Sequence, residues 1–185
     1  MSKRISEIRQ KHPFMKVAIY SRAIDEANQA EIAQLLLELA EQSIEPVIYQ
    51  PIFEKLKKVF SFPAKTHVFT QHSDLDESID VLISLGGDGT LLDTVTLVRD
   101  TNIPVLGINF GRLGFLATLG KEEIRQAVQS IAQRTLIIEK RSLIHLDSDS
   151  GLFGAVPYAL NEFAIHWVSE QPHNLFVWQE LENGL

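Results

Sequence analysis

Up to about residue 134, short apolar runs alternate with longer amphipathic stretches; beyond it the apolar runs follow one another without such stretches. KVAIY at 16–20 is apolar and bounded by polar residues, which predicts a buried strand. Over 27–40, Ala30, Ala33, Leu36, Leu37 and Ala40 recur at helical spacing among Glu31, Gln34, Glu38 and Glu41. That pattern predicts an amphipathic helix with those apolar positions inward. EPVIY at 45–49 reads as a second strand, and Pro51 suits the first turn of a short basic helix, PIFEKLKKVF. Strand, helix, strand in sequence implies a right-handed crossover and a parallel sheet. Residues 60–78 keep no period and predict a loop with one short strand. DVLISL (80–85) predicts a buried strand that runs into Gly86, followed by a helix in LLDTVTLVRD with Leu91, Leu92, Val95 and Val98 on one side. IPVLGIN (103–109) is the next strand, and KEEIRQAVQSIAQR (121–134) a helix whose early acids and late Arg134 match the helix dipole.

After Arg134, RTLIIEKRSLIHLDS and PYALNEFAIHWV are strand-like with no helix between them. Asn183-Gly184 is a hairpin-turn dipeptide that predicts a returning strand. The expected architecture is α/β: a Rossmann-like, parallel-sheet domain over 15–134, then the beginning of an incomplete all-β domain over 135–185. Residues 1–14 read as a solvated, disordered extension.

Composition narrows the partners. Of 185 residues, 17 are Lys or Arg and 24 Asp or Glu, a net charge of −7 that disfavours a nucleic acid held by bulk electrostatics. No apolar run nears the roughly 18 residues of a membrane span, and Lys3, Arg4, Arg9 and Lys11 have no hydrophobic stretch behind them. No membrane association and no secretory signal are therefore expected, and a cytoplasmic place is. The absence of cysteine excludes disulfides, thiolate catalysis and cysteine-ligated metal centres. His12, His67, His72, His145 and His166 show no metal-ligand spacing, so no transition-metal site is assigned.

Three segments carry candidate chemistry. The first is Gly86-Gly87-Asp88-Gly89-Thr90, between a buried strand and a helix. Its glycines allow backbone N–H groups to converge on an anion near a helix N-terminus, which suits a phosphate ligand. Asp88 would repel phosphate unless it accepted a proton from a substrate hydroxyl or helped to hold Mg²⁺. The alternative is that Asp88 and Thr90 form only an Asx turn and a helix cap. Neither G-x-x-x-x-G-K-[ST] nor G-x-G-x-x-G occurs. The second segment, Gly107-Ile-Asn109-Phe-Gly111-Arg-Leu-Gly114-Phe-Leu, suggests another backbone-lined loop on the same sheet edge, or else a loop that packs Phe110, Leu113 and Phe115 under the sheet. In the third, alternation sends Asn161 and Glu162 to opposite faces of a strand, each among apolar neighbours. They suit ribose hydroxyls and base nitrogens, or a structural network. His173, beside Pro172, reads as a loop histidine.

In this order, GGDGT at 86–90, GINFGRLGFL at 107–116 and Asn-Glu at 161–162 resemble the motifs of the NAD kinase family, and KVAIY is similar to its opening strand. GGDGT alone is shared with diacylglycerol kinases and loosely with phosphofructokinases; the combination is more specific. The resemblance implies transfer of the γ-phosphoryl group of ATP, sometimes polyphosphate, to the 2′-hydroxyl of the adenosine ribose of NAD, giving NADP, with Mg²⁺ or another divalent cation. By matching position it implies that Asp88 activates the hydroxyl and that Asp88-Gly89 contacts NAD. It places Gly86, Gly87, Thr90 and Asn109 in the nucleotide-binding loops and gives Asn161 and Glu162 to the dinucleotide. His173 is similar in placement to another NAD contact, at a spacing one residue longer. The implied partners are small-molecule nucleotides, with homo-oligomers for the full-length family. Two departures stand out. Asp93 occupies a position where many members carry Arg or Lys, and the family's later β-rich part, with its TPTGSTAY-like segment, does not occur, so the chain reads as a C-terminally truncated member. A non-catalytic nucleotide-binding remnant is the alternative; a diacylglycerol-type lipid kinase is disfavoured by the net charge of −7.

Overall fold

A computed structural model describes residues 3–4, 15–112, 114–145 and 158–160. Strands β1 (Lys16–Tyr20), β2 (Glu45–Tyr49), β3 (His67–Phe69), β4 (Val81–Leu85), β5 (Val105–Asn109) and β6 (Leu119–Gly120) form one sheet in the order β3-β2-β1-β4-β5-β6. Every pairing is parallel, with Val17 opposite both Pro46 and Val81, and Ile83 opposite Leu106. Helices α1 (Gln29–Glu41), α2 (Gln50–Leu56), α3 (Asp88–Val98) and α4 (Ile124–Ala132) follow β1, β2, β4 and β6 respectively.

Alternation along each strand feeds two cores. Val17 and Ile19 of β1, with Val81, Ile83 and Leu85 of β4, pack with residues of α1, α2 and α4. Ala18, Tyr20 and Leu82 pack on the opposite side with Leu97 of α3 and with Phe69, Leu75 and Ile79. Burial on both faces explains why the strands read as continuous apolar runs. The chain winds outward from β1 to β3 and then returns to β4 on the other side of β1, which puts a topological switch between the carboxyl ends of β1 and β4. Open α/β sheets hold their ligands in that crevice.

The strands expected at 16–20, 45–49, 80–85 and 103–109 lie where the sequence places them, and the stretch 60–78 carries the short strand β3 and a single 3₁₀ turn at His72–Asp74. Two helices differ from expectation. The face of α1 that is buried carries Ile32, Leu35 and Leu39, whereas Leu37 is 65% exposed and Ala30 and Ala40 lie outward. The run Leu35-Leu36-Leu37 fits several phases, and the one adopted buries Ile32, Leu35 and Leu39 together with Glu38, which accepts a hydrogen bond from Arg125 Nε of α4 at 2.8 Å. A second ion pair, Lys121 Nζ to Glu31 Oε1 at 2.6 Å, joins α1 to the turn that leads into α4. Helix α3 starts at Asp88 itself, inside the glycine-rich segment.

The chain divides into two compact units, 1–140 and 141–185. In the first, Lys3–Arg4, within the extension expected to be solvated, pair antiparallel with Ile137–Ile138. In the second, Ile144–His145 pair antiparallel with Tyr158–Ala159. Asn161, Glu162, His173 and the Asn183-Gly184 dipeptide lie outside the described residues. No helix among the described residues is long and apolar enough to cross a membrane.

The phase of α1 is open to direct test. Leu35→Ala removes a fully buried side chain and is expected to cost about 2–5 kcal/mol, and Leu37→Ala less than about 0.5 kcal/mol, in urea unfolding. The reverse ranking would put the stripe expected from the sequence inward.

Candidate functional site

The turn after β4 is set by Gly86, whose amide donates to the Ile108 carbonyl at 2.9 Å. Its φ of +144° is open to glycine, and a Cβ there would stand 2.5 Å from Thr90 Oγ1. Gly87 is the N-cap of α3 and makes no side-chain cap; its carbonyl accepts the amides of Thr90 and Leu91 at 3.0 and 3.2 Å. The amides of Gly87, Asp88 and Gly89 donate to no acceptor among the described residues. Orphan donors at the positive end of a helix favour an anion.

Asp88, the first residue of α3, uses its side chain neither as a cap nor in an Asx turn. Its carboxylate crosses to the loop after β5 and accepts three backbone amides: Phe115 on Oδ2 at 2.8 Å, and Leu116 and Ala117 on Oδ1 at 3.0 and 2.9 Å. Gly114 is required by the same contact, because a Cβ there would fall on the carboxylate. The amide of Ala117, then that of Phe115, holds the Asp88 carboxyl below the usual aspartate range. An ionised carboxylate offers about four acceptor positions, so three amides leave one, on Oδ2. Asn109, buried at the end of β5, is turned toward its own loop: Oδ1 accepts the Gly111 amide at 2.9 Å and Nδ2 donates to the Arg112 carbonyl at 2.7 Å.

A cluster that the sequence did not announce flanks this turn. At the end of β1, the Tyr20 hydroxyl donates to Asp93 Oδ2 at 3.1 Å, and Arg22 forms a two-bond fork with the same carboxylate through Nε and Nη2. Burial, with the Asp93 charge beside it, pushes the Tyr20 phenol above its ordinary pKa. The Ser21 hydroxyl lies 2.8 Å from the carbonyl oxygens of both Leu85 and Ala23, fastening the end of β1 to the end of β4. Arg22 is anonymous in the sequence; only the adjacency of β1 and β4 reveals it. The structure thus brings Gly86 to Thr90 and Asn109 to neighbouring strand ends, while Asn161, Glu162 and His173 are outside the described residues. Among the described residues no group of three or more His, Asp or Glu side chains could hold a metal ion.

The model of the ATP-NAD kinase N-terminal domain matches residues 17–136, all of the sheet but its first residue and both glycine-rich loops. The chain belongs to the NAD kinase family. It is 38% identical to an NAD kinase of Cytophaga hutchinsonii over 152 residues, 82% of this chain and 52% of the relative. It is also 37% identical to one of Flavobacterium psychrophilum over 153 residues, again 82% and 52%. The chain therefore spans about half the length of these curated relatives. A crystal structure of yeast NADH kinase complexed with NADH has the same fold, with a TM-score of 0.59 at 22% identity, covering 75% of this chain and 45% of that one.

Because the folded-state pKa of Asp88 is depressed, its ionisation contributes stability that is present above the ordinary value of 3.8 and lost as pH falls through the folded value. Asp88→Asn would turn an NH₂ group toward a backbone amide. We expect a lower urea midpoint than the parent at pH 7 and a difference that shrinks below pH 3.8. A difference independent of pH would show that the three amides do not depend on the charge.

Proposed function

We propose that this chain carries the part of an NAD kinase that binds adenine nucleotides and directs phosphoryl transfer from ATP to the 2′-hydroxyl of the adenosine ribose of NAD. The observation that supports this most is the position of the GGDGT turn, with three amides directed to no described acceptor, at the switch point of a β3-β2-β1-β4-β5-β6 sheet in a chain of this family.

In the reaction the ribose oxygen bonds to the γ-phosphorus, the bond to the bridging oxygen of ADP breaks, and the hydroxyl proton must leave. The acceptor position left on Asp88 Oδ2 receives that hydrogen bond and then the proton. The amides that lower the Asp88 pKa weaken it as a base but keep it ionised and fixed. A loose phosphoryl-transfer transition state asks more for positioning than for base strength. The amides of Gly87, Asp88 and Gly89 stabilise charge on the phosphates. A divalent cation would be held here by phosphate oxygens and water, because the one acceptor position left on Asp88 is given to the hydroxyl and Asp93 is engaged by Arg22 and Tyr20. Such an ion would neutralise phosphate charge. Asn161, Glu162 and His173 remain assigned to the dinucleotide.

The second reading, binding without turnover, is favoured by the full occupation of Asp88 Oδ1 by two amides. Incubation with NAD, ATP and Mg²⁺ separates the two. We expect NADP, and its loss in Asp88→Asn. A raised thermal midpoint with NAD but no NADP would support binding alone. Neither product nor stabilisation would overturn both.

A further inference from the structure

The strand order places the end of β1 beside the end of β4, so Arg22 reaches a residue far from it in sequence. A Cβ built on Gly89 would stand 3.2 Å from Arg22 Nη1 and 3.7 Å from Cζ. The guanidinium thus lies against Gly89 in the first turn of α3.

Its orientation is fixed from the far side. Asp93, one and a half turns along α3, accepts Nε–H on Oδ2 and Nη2–H on Oδ1, and the Tyr20 hydroxyl adds a bond to Oδ2 at 3.1 Å. Tyr20 is 8% exposed, so this second partner of Asp93 is anchored in the core beneath. An arginine has five N–H donors in a planar fork. Asp93 occupies the Nε edge with two of them, which leaves both hydrogens of Nη1 and one of Nη2, and Nη1 is the Arg22 atom nearest Gly89. The Arg22 side chain is 57% exposed, and an ion pair so open to water contributes little to stability. Two buried or half-buried groups hold a cation whose unused donors face the glycine-rich turn.

We propose that Arg22 is a phosphate-binding residue of the nucleotide site, and that Asp93 and Tyr20 are positioning residues that aim its free edge over Gly89. The proposal rests on the nucleotide reading above. The ligand class is a phosphate anhydride chain, which a guanidinium can grip through two parallel hydrogen bonds. The triphosphate of ATP and the diphosphate of NAD share that chemistry. Asp93 does not compete for the ligand, because its two oxygens are already turned to Arg22 and Tyr20. Lysine at position 22 would preserve the charge without the fork.

The test is titration calorimetry on the full chain with ATP and Mg²⁺, with NAD, and with adenosine, which has the base and ribose but no phosphate. Each is measured at low and high salt. Arg22→Ala is expected to weaken ATP or NAD by about tenfold or more, flatten the salt dependence of that ligand, and leave adenosine unchanged. Arg22→Lys should recover part of the loss, and Asp93→Asn, which retains the cation but loosens its hold, should reproduce part of it. Weakening confined to ATP assigns Arg22 to the phosphoryl donor, and weakening confined to NAD to the acceptor; either supports the proposal. Unchanged affinity for both ligands overturns it, as does an equal loss for adenosine. Should Arg22→Ala fail to fold, as judged by its circular dichroism, the Lys and Asn variants carry the same comparison. A parent chain that binds neither ATP nor NAD overturns the nucleotide reading itself, whereas a parent that binds and a variant that binds equally well overturns only the role of Arg22.

Discussion

A single carboxylate holds the candidate site together. Asp88 opens α3 and, through three backbone amides, closes the loop between β5 and β6. Those amides belong to a turn that has no ladder to satisfy it, and the part-buried bonds of Leu116 and Ala117 supply partners that backbone donors away from water need. Gly114 leaves the space the carboxylate enters, and the start of α3 at Asp88 puts that carboxylate within reach. Two segments that appear in the sequence as separate glycine-rich motifs are thus one object, joined across 27 to 29 residues.

Charge balance follows from the same arrangement. The first two turns of α3 carry two acids, which would make a poor setting for phosphate if both faced it bare. Asp88 is occupied by amides and Asp93 by Arg22 and Tyr20. What remains toward the crevice is donor-rich: the three amides of the glycine turn and the outer edge of a guanidinium. The acid at position 93, a departure from the basic residue expected there, is neutralised by Arg22 across the switch point, so that it does not face the crevice as a bare negative charge.

The layered α/β architecture was legible because strands buried on both faces leave unbroken apolar runs such as VLISL, and few other structures do. The phase of α1 was not, because three consecutive leucines fit more than one stripe and because Glu38 looks like a surface residue until Arg125, 87 positions away, covers it. The GGDGT turn announced itself through its glycines. Its tie to residues 115–117 did not, since backbone donors have no signature in composition. Arg22 and Tyr20 were invisible for a different reason: they become part of the site only through the return of the chain to β4, which is a property of topology rather than of local pattern.

The sheet tapers. Its central strands run five residues, but the outer two are β3 with three and β6 with two. Long exposed edges are templates on which other chains can add, and short ones offer too few unpaired groups to register a partner. At β6 the Gly120 amide is further taken by Glu123 Oε2 at 2.8 Å. Among the described residues, then, the same narrowing that concentrates hydrogen bonding beneath the crevice also leaves the margins with little to offer an aggregating neighbour.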